Sequence, residues 1–364
     1  MSADLWPLVG GGARWVLFAS LLTMVGSCSV RALMGRVHAR HRVGSLAAGH
    51  AQSARSRIDG HGPVPPPVPR EWQGIPARLG LVAAFLGLSA QLALFAVQLA
   101  DFRDPFSPLR DDAALLLSSF WGTAWLLGIG GSAAATALFG LMVRATRAEA
   151  HPPQPAPQPA LPPAPQNSQS RCSAPDERRL ARIWWLAALV SCALTLQPGL
   201  TGHAMNGPLP WSWLADGVHL LAAGAWVGSL PVLLLVLRQS NRTPGTTHDP
   251  ASSPAVALLM GFSPIALTAA AIVGLSGLAR AWSLLDSPAQ LVGTPYGRIL
   301  LGKLVLVAAI MALGAWNWRR NVPAFARDGT APPLQRDALL EAFVVQAVLV
   351  VTAWLVHTPP PSVM

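Results

Sequence analysis

Residues 212–237 read SWLADGVHLLAAGAWVGSLPVLLLVL, and this stretch decides the fold. It holds one carboxylate, Asp216, one imidazole, His219, and neither Lys nor Arg. A helix of about 20 apolar residues crosses the roughly 30 Å hydrocarbon core of a bilayer, so the stretch predicts a transmembrane helix. Seven further runs predict the same at 13–35, 78–100, 113–143, 182–199, 256–283, 298–318 and 338–357. The third is long enough to tilt or to project from the membrane, and the fourth is short. Tryptophans stand near many of the ends, among them Trp15, Trp121, Trp184, Trp185, Trp211, Trp213, Trp282, Trp316, Trp318 and Trp354. Indole rings prefer that interface. The expected fold class is an all-α polytopic bundle of about eight transmembrane helices.

Composition excludes the alternatives. Only 12% of the 364 residues are charged and 52% are hydrophobic, with a mean hydropathy of +0.42. Soluble domains carry about 25% charge, so a water-soluble monomer is excluded. The net charge of +10 would suggest a nucleic-acid partner in a soluble protein. Here it has another origin, because Lys and Arg gather on the cytoplasmic side of membrane proteins. With the N-terminus outside, 20 of the 26 basic residues fall on the inner side against nine acids, giving +11 inside and −1 outside. The outer set is Arg14, Arg103, Arg110, Arg280, Arg298 and Lys303. Eight helices with both termini periplasmic satisfy this, and no nucleic-acid partner is expected. Val25-Gly26-Ser27-Cys28 faintly resembles a lipoprotein cleavage box, but cleavage would leave the most Arg-rich stretch outside, so the first segment is read as a membrane helix.

Two inner segments read as linkers. Residues 38–76 are rich in Arg, His and Gly and end in a proline run at 63–69, and residues 151–175 begin as Pro/Gln/Ala. Such composition builds no packed core. The chain thus divides into an N-terminal three-helix membrane segment with a basic cytoplasmic loop (1–150), a Pro-rich cytoplasmic linker (151–180) and a five-helix membrane domain (181–361).

Six of the nine histidines fall in inner loops, whereas His203, His219 and His357 share the outer boundary on three different segments. Asp216 and His219 lie three apart, on one face of the fifth helix. An ionisable group inside a membrane helix is costly and points to function unless the interface solvates it. A carboxylate accepting from one ring nitrogen would orient the imidazole and leave the other nitrogen for a metal or a proton. Met205 adds a thioether two residues after His203, and a His/Met set suits copper. His203, Met205, His219 and His357 are therefore the candidate metal ligands, with Asp216 behind His219. Lys303 and Glu341 are further intramembrane charges, placed at opposite depths and so not expected to pair. Gly224 and Gly228, four apart, suit close helix packing. Cys28, Cys172 and Cys192 have no CxxC spacing and read as ordinary thiols. The chain has no Walker A, GxSxG, HExxH or glycine-rich nucleotide motif, and no enzymatic activity is expected.

Thr201-Gly202-His203-Ala204, followed by Asp216-Gly217-Val218-His219 and Gly224-Ala225-Trp226-Val227-Gly228, resembles the copper resistance protein D (CopD) family of bacterial inner-membrane proteins. Gly293-Thr294-Pro295-Tyr296-Gly297-Arg298, Gly302-Lys303-Leu304, Ala315-Trp316-Asn317 and a closing helix with Glu341 before Thr358-Pro359-Pro360-Pro361 extend the resemblance over about 199–361. Pro264, near the start of a helix core, departs from what is expected there. The resemblance implies copper homeostasis and resistance at the inner membrane, by import from periplasm to cytoplasm, with a periplasmic CopC-type copper-binding partner. Two other readings remain open. One is a b-type haem or quinone electron-transfer protein, in which His219 with His357 or His203 would hold a single haem. The other is an assembly factor that inserts copper into a terminal oxidase.

Overall fold

The computed structural model describes residues 5–51, 68–150, 174–201, 212–240, 253–285, 287–328 and 332–355. They form helices only: α1 (Leu5–Ala51), α2 (Arg70–Phe102), α3 (Leu109–Ser118), α4 (Phe120–Ala150), α5 (Ala174–Leu194), α6 (Gln197–Thr201), α7 (Ser212–Trp226), α8 (Leu230–Ser240), α9 (Pro254–Leu284), α10 (Gln290–Gly293), α11 (Pro295–Trp316), α12 (Val322–Asp328) and α13 (Pro332–Leu355). A single 3-10 turn, Val227–Ser229, joins α7 to α8, and a π turn, Asn317–Asn321, joins α11 to α12. Among the described residues eight spans are long and apolar enough to cross a membrane: Leu8–His41, Arg70–Phe102, Phe120–Ala148, Arg178–Thr201, Ser212–Ser240, Pro254–Trp282, Pro295–Arg327 and Leu334–Leu355. The protein is an all-α polytopic bundle of eight membrane-spanning helices.

The first helix organises the packing. Leu17, Leu21 and Met24, spaced along one stripe of α1, join Ala84 of α2, Phe139 and Met142 of α4 and Ala187 of α5 in one core. Leu22, Val30, Leu33 and Val37 face the other way, into a second core with Trp226, Leu233, Leu258, Phe262 and Leu349. α1 is therefore the wall shared by both cores. Its crossing with the fifth span is backbone-tight. A Cβ on Gly228 would stand 1.9 Å from the Leu22 carbonyl oxygen, and one on Gly26 would stand 2.1 Å from the Gly228 carbonyl. Gly224 likewise abuts Val25, so both glycines of the pair serve helix packing. Ser229 Oγ donates to the Ala225 carbonyl at 2.9 Å, covering an acceptor beside the 3-10 turn.

Several boundaries depart from the sequence expectation. The long third run is two helices, broken at Ser119, whose extended backbone ends α3 and whose Oγ accepts from the Gly122 N–H at 3.1 Å. It is therefore not one continuous rod. The run at 212–237 is likewise interrupted at Val227–Ser229, ahead of Pro231, which lacks an N–H to continue the ladder. Part of the first expected linker is helix: α1 continues to Ala51 and α2 starts at Arg70, while 52–67 lie outside the described residues. The proline-rich stretch 151–173 lies outside them too. Pro264 sits inside an unbroken α9, where Ser263 Oγ donates to the Leu259 carbonyl at 3.0 Å.

Candidate metal site at one end of the bundle

α7 and α9 run antiparallel, and their polar residues meet in register. Asp216 Oδ2 lies 3.4 Å from Arg280 Nη2, and one turn deeper His219 Nδ1 lies 2.8 Å from Ser276 Oγ. On α7 the pair is spaced i, i+3 and on α9 i, i+4, the two spacings that put side chains on one helix face. Gly277 leaves room for the ring, since a Cβ there would stand 3.6 Å from His219 Cε1. Lys303, from α11, lies within electrostatic reach of both Asp216 and His219.

The hydrogen bonds bear on which ring nitrogen is open. Ser276 Oγ donates its one proton to the Ile272 backbone carbonyl, as serines in helices do. With that proton on the carbonyl, Ser276 Oγ accepts from His219, the pairing in which the ring proton is on Nδ1. Nε2 is left with a free lone pair, the state in which imidazole ligates a metal. The orienting partner of His219 is thus Ser276, while the Asp216 carboxylate is engaged by Arg280. The sequence pattern points to Asp216 for that role rather than to Ser276 or Arg280. Their four-residue spacing, mirrored by Asp216 and His219, is visible in the sequence, but the register that joins the two helices is not.

The other candidate ligands, His203, Met205 and His357, lie outside the described residues. The helices on either side of the segment bearing His203 and Met205 are described. α6 ends at Thr201 and packs on the start of α7, where a Cβ on Gly199 would stand 2.8 Å from the Trp213 carbonyl oxygen. Among the described residues, no group of three or more His, Cys, Asp or Glu side chains converges to hold a metal ion. Cys28 and Cys192 are free thiols, half-buried between α1 and α5.

Next to this site, the Gly293–Arg298 motif builds the entry to α11. Thr294 caps the helix, its Oγ1 accepting from the Gly297 N–H at 3.0 Å, and Pro295 takes the first position, where a missing N–H costs nothing. Tyr296 is buried against Ala281, Leu300 and Leu355. Glu341 is at the far end of the bundle. It is buried and accepts from Asn317 Nδ2 in the π turn. Asn321 Nδ2 in turn donates to Asn317 Oδ1 and, at 2.6 Å, to Asp337 Oδ2. Asn317 lies 14 residues beyond Lys303, about 21 Å along a helix. The two intramembrane charges belong to separate clusters.

With this geometry in view, the fold and site define a multi-pass helical membrane protein. Helical bundles rather than β-barrels are the inner-membrane architecture. Residues 256–355 match the family described as copper resistance protein D. Among curated proteins, the copper transport protein CutJ of Bacillus subtilis (strain 168) is 31% identical over 180 residues, covering 49% of this chain and 31% of its own length. The copper resistance protein D of Pseudomonas syringae pv. tomato is 29% identical over 154 residues, covering 40% of this chain and 48% of its own. The chain is thus homologous to copper resistance and transport proteins of this type, and the match spans between about a third and a half of each relative. No solved structure matches the chain. The family match includes Ser276, Arg280, Lys303 and Glu341; His203 and His219 precede it.

Proposed function

We propose that the protein carries copper across the inner membrane, inward from the periplasm, and that copper is first captured at the His219 end of the bundle. The single observation that carries this reading is the His219 imidazole held at 2.8 Å by Ser276 through Nδ1, an arrangement that suits a metal at Nε2. The names of the homologous relatives, a copper transport protein and a copper resistance protein, supply the cargo. His203 and Met205 complete a soft ligand set of the kind that suits copper, and His357 is a further ligand. Asp216, bound to Arg280, acts as a local counter-charge to Lys303 and the ion. In this reading both termini are periplasmic, copper arrives from a periplasmic CopC-type protein, and the chain catalyses no reaction.

The test is copper accumulation in cells, together with copper binding by the purified protein. His219→Ala and His203→Ala are expected to lower accumulation at least tenfold, with unchanged amounts of protein in the membrane. If both variants accumulate copper like wild type, the capture site is wrong. A Soret band in the purified protein would replace copper transport with the haem reading.

A further inference from the structure

A cleft of about 790 Å³ opens between α1, α7 and α9. Its size falls within the roughly 300–1,000 Å³ typical of ligand sites. Arg36, Arg40 and Thr268 are the only polar side chains in its wall; the rest is apolar, including Met260, Val218 and Ile272. These six residues are all exposed in the isolated chain, so the cleft opens sideways, toward lipid. Along α9 the lining runs from Ala257 to Ile272, about 22 Å at 1.5 Å per residue. That is longer than the roughly 15 Å of a single leaflet's hydrocarbon. The arginines mark one end, where the first span finishes at His41. The opposite end reaches Val218 and Ile272, next to His219 and Ser276.

What fills such a cleft follows from its walls. Water needs two to four polar partners, and the apolar length offers almost none. A hydrocarbon chain fits it. At the mouth, Arg36 and Arg40 stand one helical turn apart, and among the described residues no carboxylate is paired with either. Guanidinium forks spaced in this way suit a phosphate, and basic pockets between membrane helices are sites for anionic head groups. We propose that the cleft binds one anionic phospholipid, its phosphate held by Arg36 and Arg40 and an acyl chain lying along α9 toward Ile272. The far end of that chain packs under the turn of α9 that presents Ser276 to His219. The lipid thereby braces the two helices of the candidate metal site.

The experiment is native mass spectrometry of the full chain in detergent, titrated with phosphatidylglycerol or with phosphatidylcholine of the same acyl chains. Wild type is expected to bind its first phosphatidylglycerol at least tenfold more tightly than phosphatidylcholine. The double variant Arg36→Gln/Arg40→Gln should bind phosphatidylglycerol about 30-fold more weakly and lose its preference over phosphatidylcholine. Thr268→Trp, which fills the middle of the cleft, should weaken the first phosphatidylglycerol, while Thr268→Val, which keeps the volume, should not. Equal binding of the two lipids, or an arginine variant that binds like wild type, overturns the proposal. So does loss of binding in Thr268→Val, which would trace the effect to structure, or full binding in Thr268→Trp, which would place the acyl chain elsewhere.

Discussion

Ser276 makes a specific claim about His219. If its hydroxyl fixes the ring with the proton on Nδ1, removing that hydroxyl leaves a half-buried imidazole free to rotate and to change tautomer. Partners of this kind are worth about 10- to 100-fold in metal affinity. Ser276→Ala is therefore expected to weaken copper binding by that factor in a titration of the purified protein, while Ser276→Thr, which keeps an oxygen, stays within about threefold of wild type. Equal affinity in wild type and Ser276→Ala would return the orienting role to another group. Lys303 and Arg280 add a second feature at this scale. Among the described residues, these two cations beside the Asp216 carboxylate make the site less attractive to a metal ion than the imidazole alone would be. Under the proposed copper carriage this is an advantage, since an ion must bind well enough to enter and weakly enough to leave. None of this was legible residue by residue. The sequence shows Asp216 and His219 on one face of a helix, but whether the imidazole meets that carboxylate or a serine 57 positions away depends on how α7 and α9 slide past each other.

At the scale of an element, the π turn at Asn317–Asn321 is the departure from regular helix that asks for a cause. π turns in α-helices tend to fall where side chains have work to do. Here the turn begins and ends on Asn317 and Asn321, which face Asp337 and Glu341, four residues apart on α13, so that a run of hydrogen bonds among two amides and two carboxylates ties the seventh span to the eighth. Glu341 is 3% exposed, and the bond from Asn317 is what makes its burial tolerable. Glu341→Leu should leave the Asn317 amide without that acceptor and cost about 1–3 kcal/mol. Glu341→Gln keeps an acceptor oxygen and should stay within about 1 kcal/mol of wild type. Denaturation of the detergent-solubilised protein separates the two. A Gln variant as unstable as the Leu variant would show that the cluster needs the carboxylate's charge. The eight spans were legible because each carries an uninterrupted apolar run of membrane length. The breaks inside them were not. Ser119 stops a helix with its own hydroxyl and backbone, and Val227–Ser229 tightens where Gly228 meets α1; both are decided by local geometry that hydropathy does not register.

For the whole molecule, the question is which end faces the periplasm, and the proposed orientation rests on charge and geometry together. Asp216, His219, Arg280 and Lys303 gather at the end of the bundle where α7 begins and α9 finishes. Arg36 and Arg40 lie beside the start of α9, about 28 Å away if measured along that helix from Ala257 to Ser276, close to the thickness of the hydrocarbon core. The two clusters therefore sit at opposite membrane surfaces. The positive-inside rule puts the arginines, with most of the other basic residues, in the cytoplasm. In the proposed orientation His219 faces outward, while the lipid mouth opens on the inner leaflet, where anionic head groups attract basic segments. With eight crossings, that orientation puts both termini outside. Cysteine accessibility tests this directly in a Cys172→Ser background, with Cys28 and Cys192 half-buried within the spans. Ser107→Cys, between α2 and α3, is expected to react with a membrane-impermeant maleimide in intact spheroplasts, whereas Ser240→Cys, at the end of α8, should react only after permeabilisation. The reverse pattern would turn the molecule over. It would put the His219 cluster in the cytoplasm and leave copper capture from the periplasm without a site.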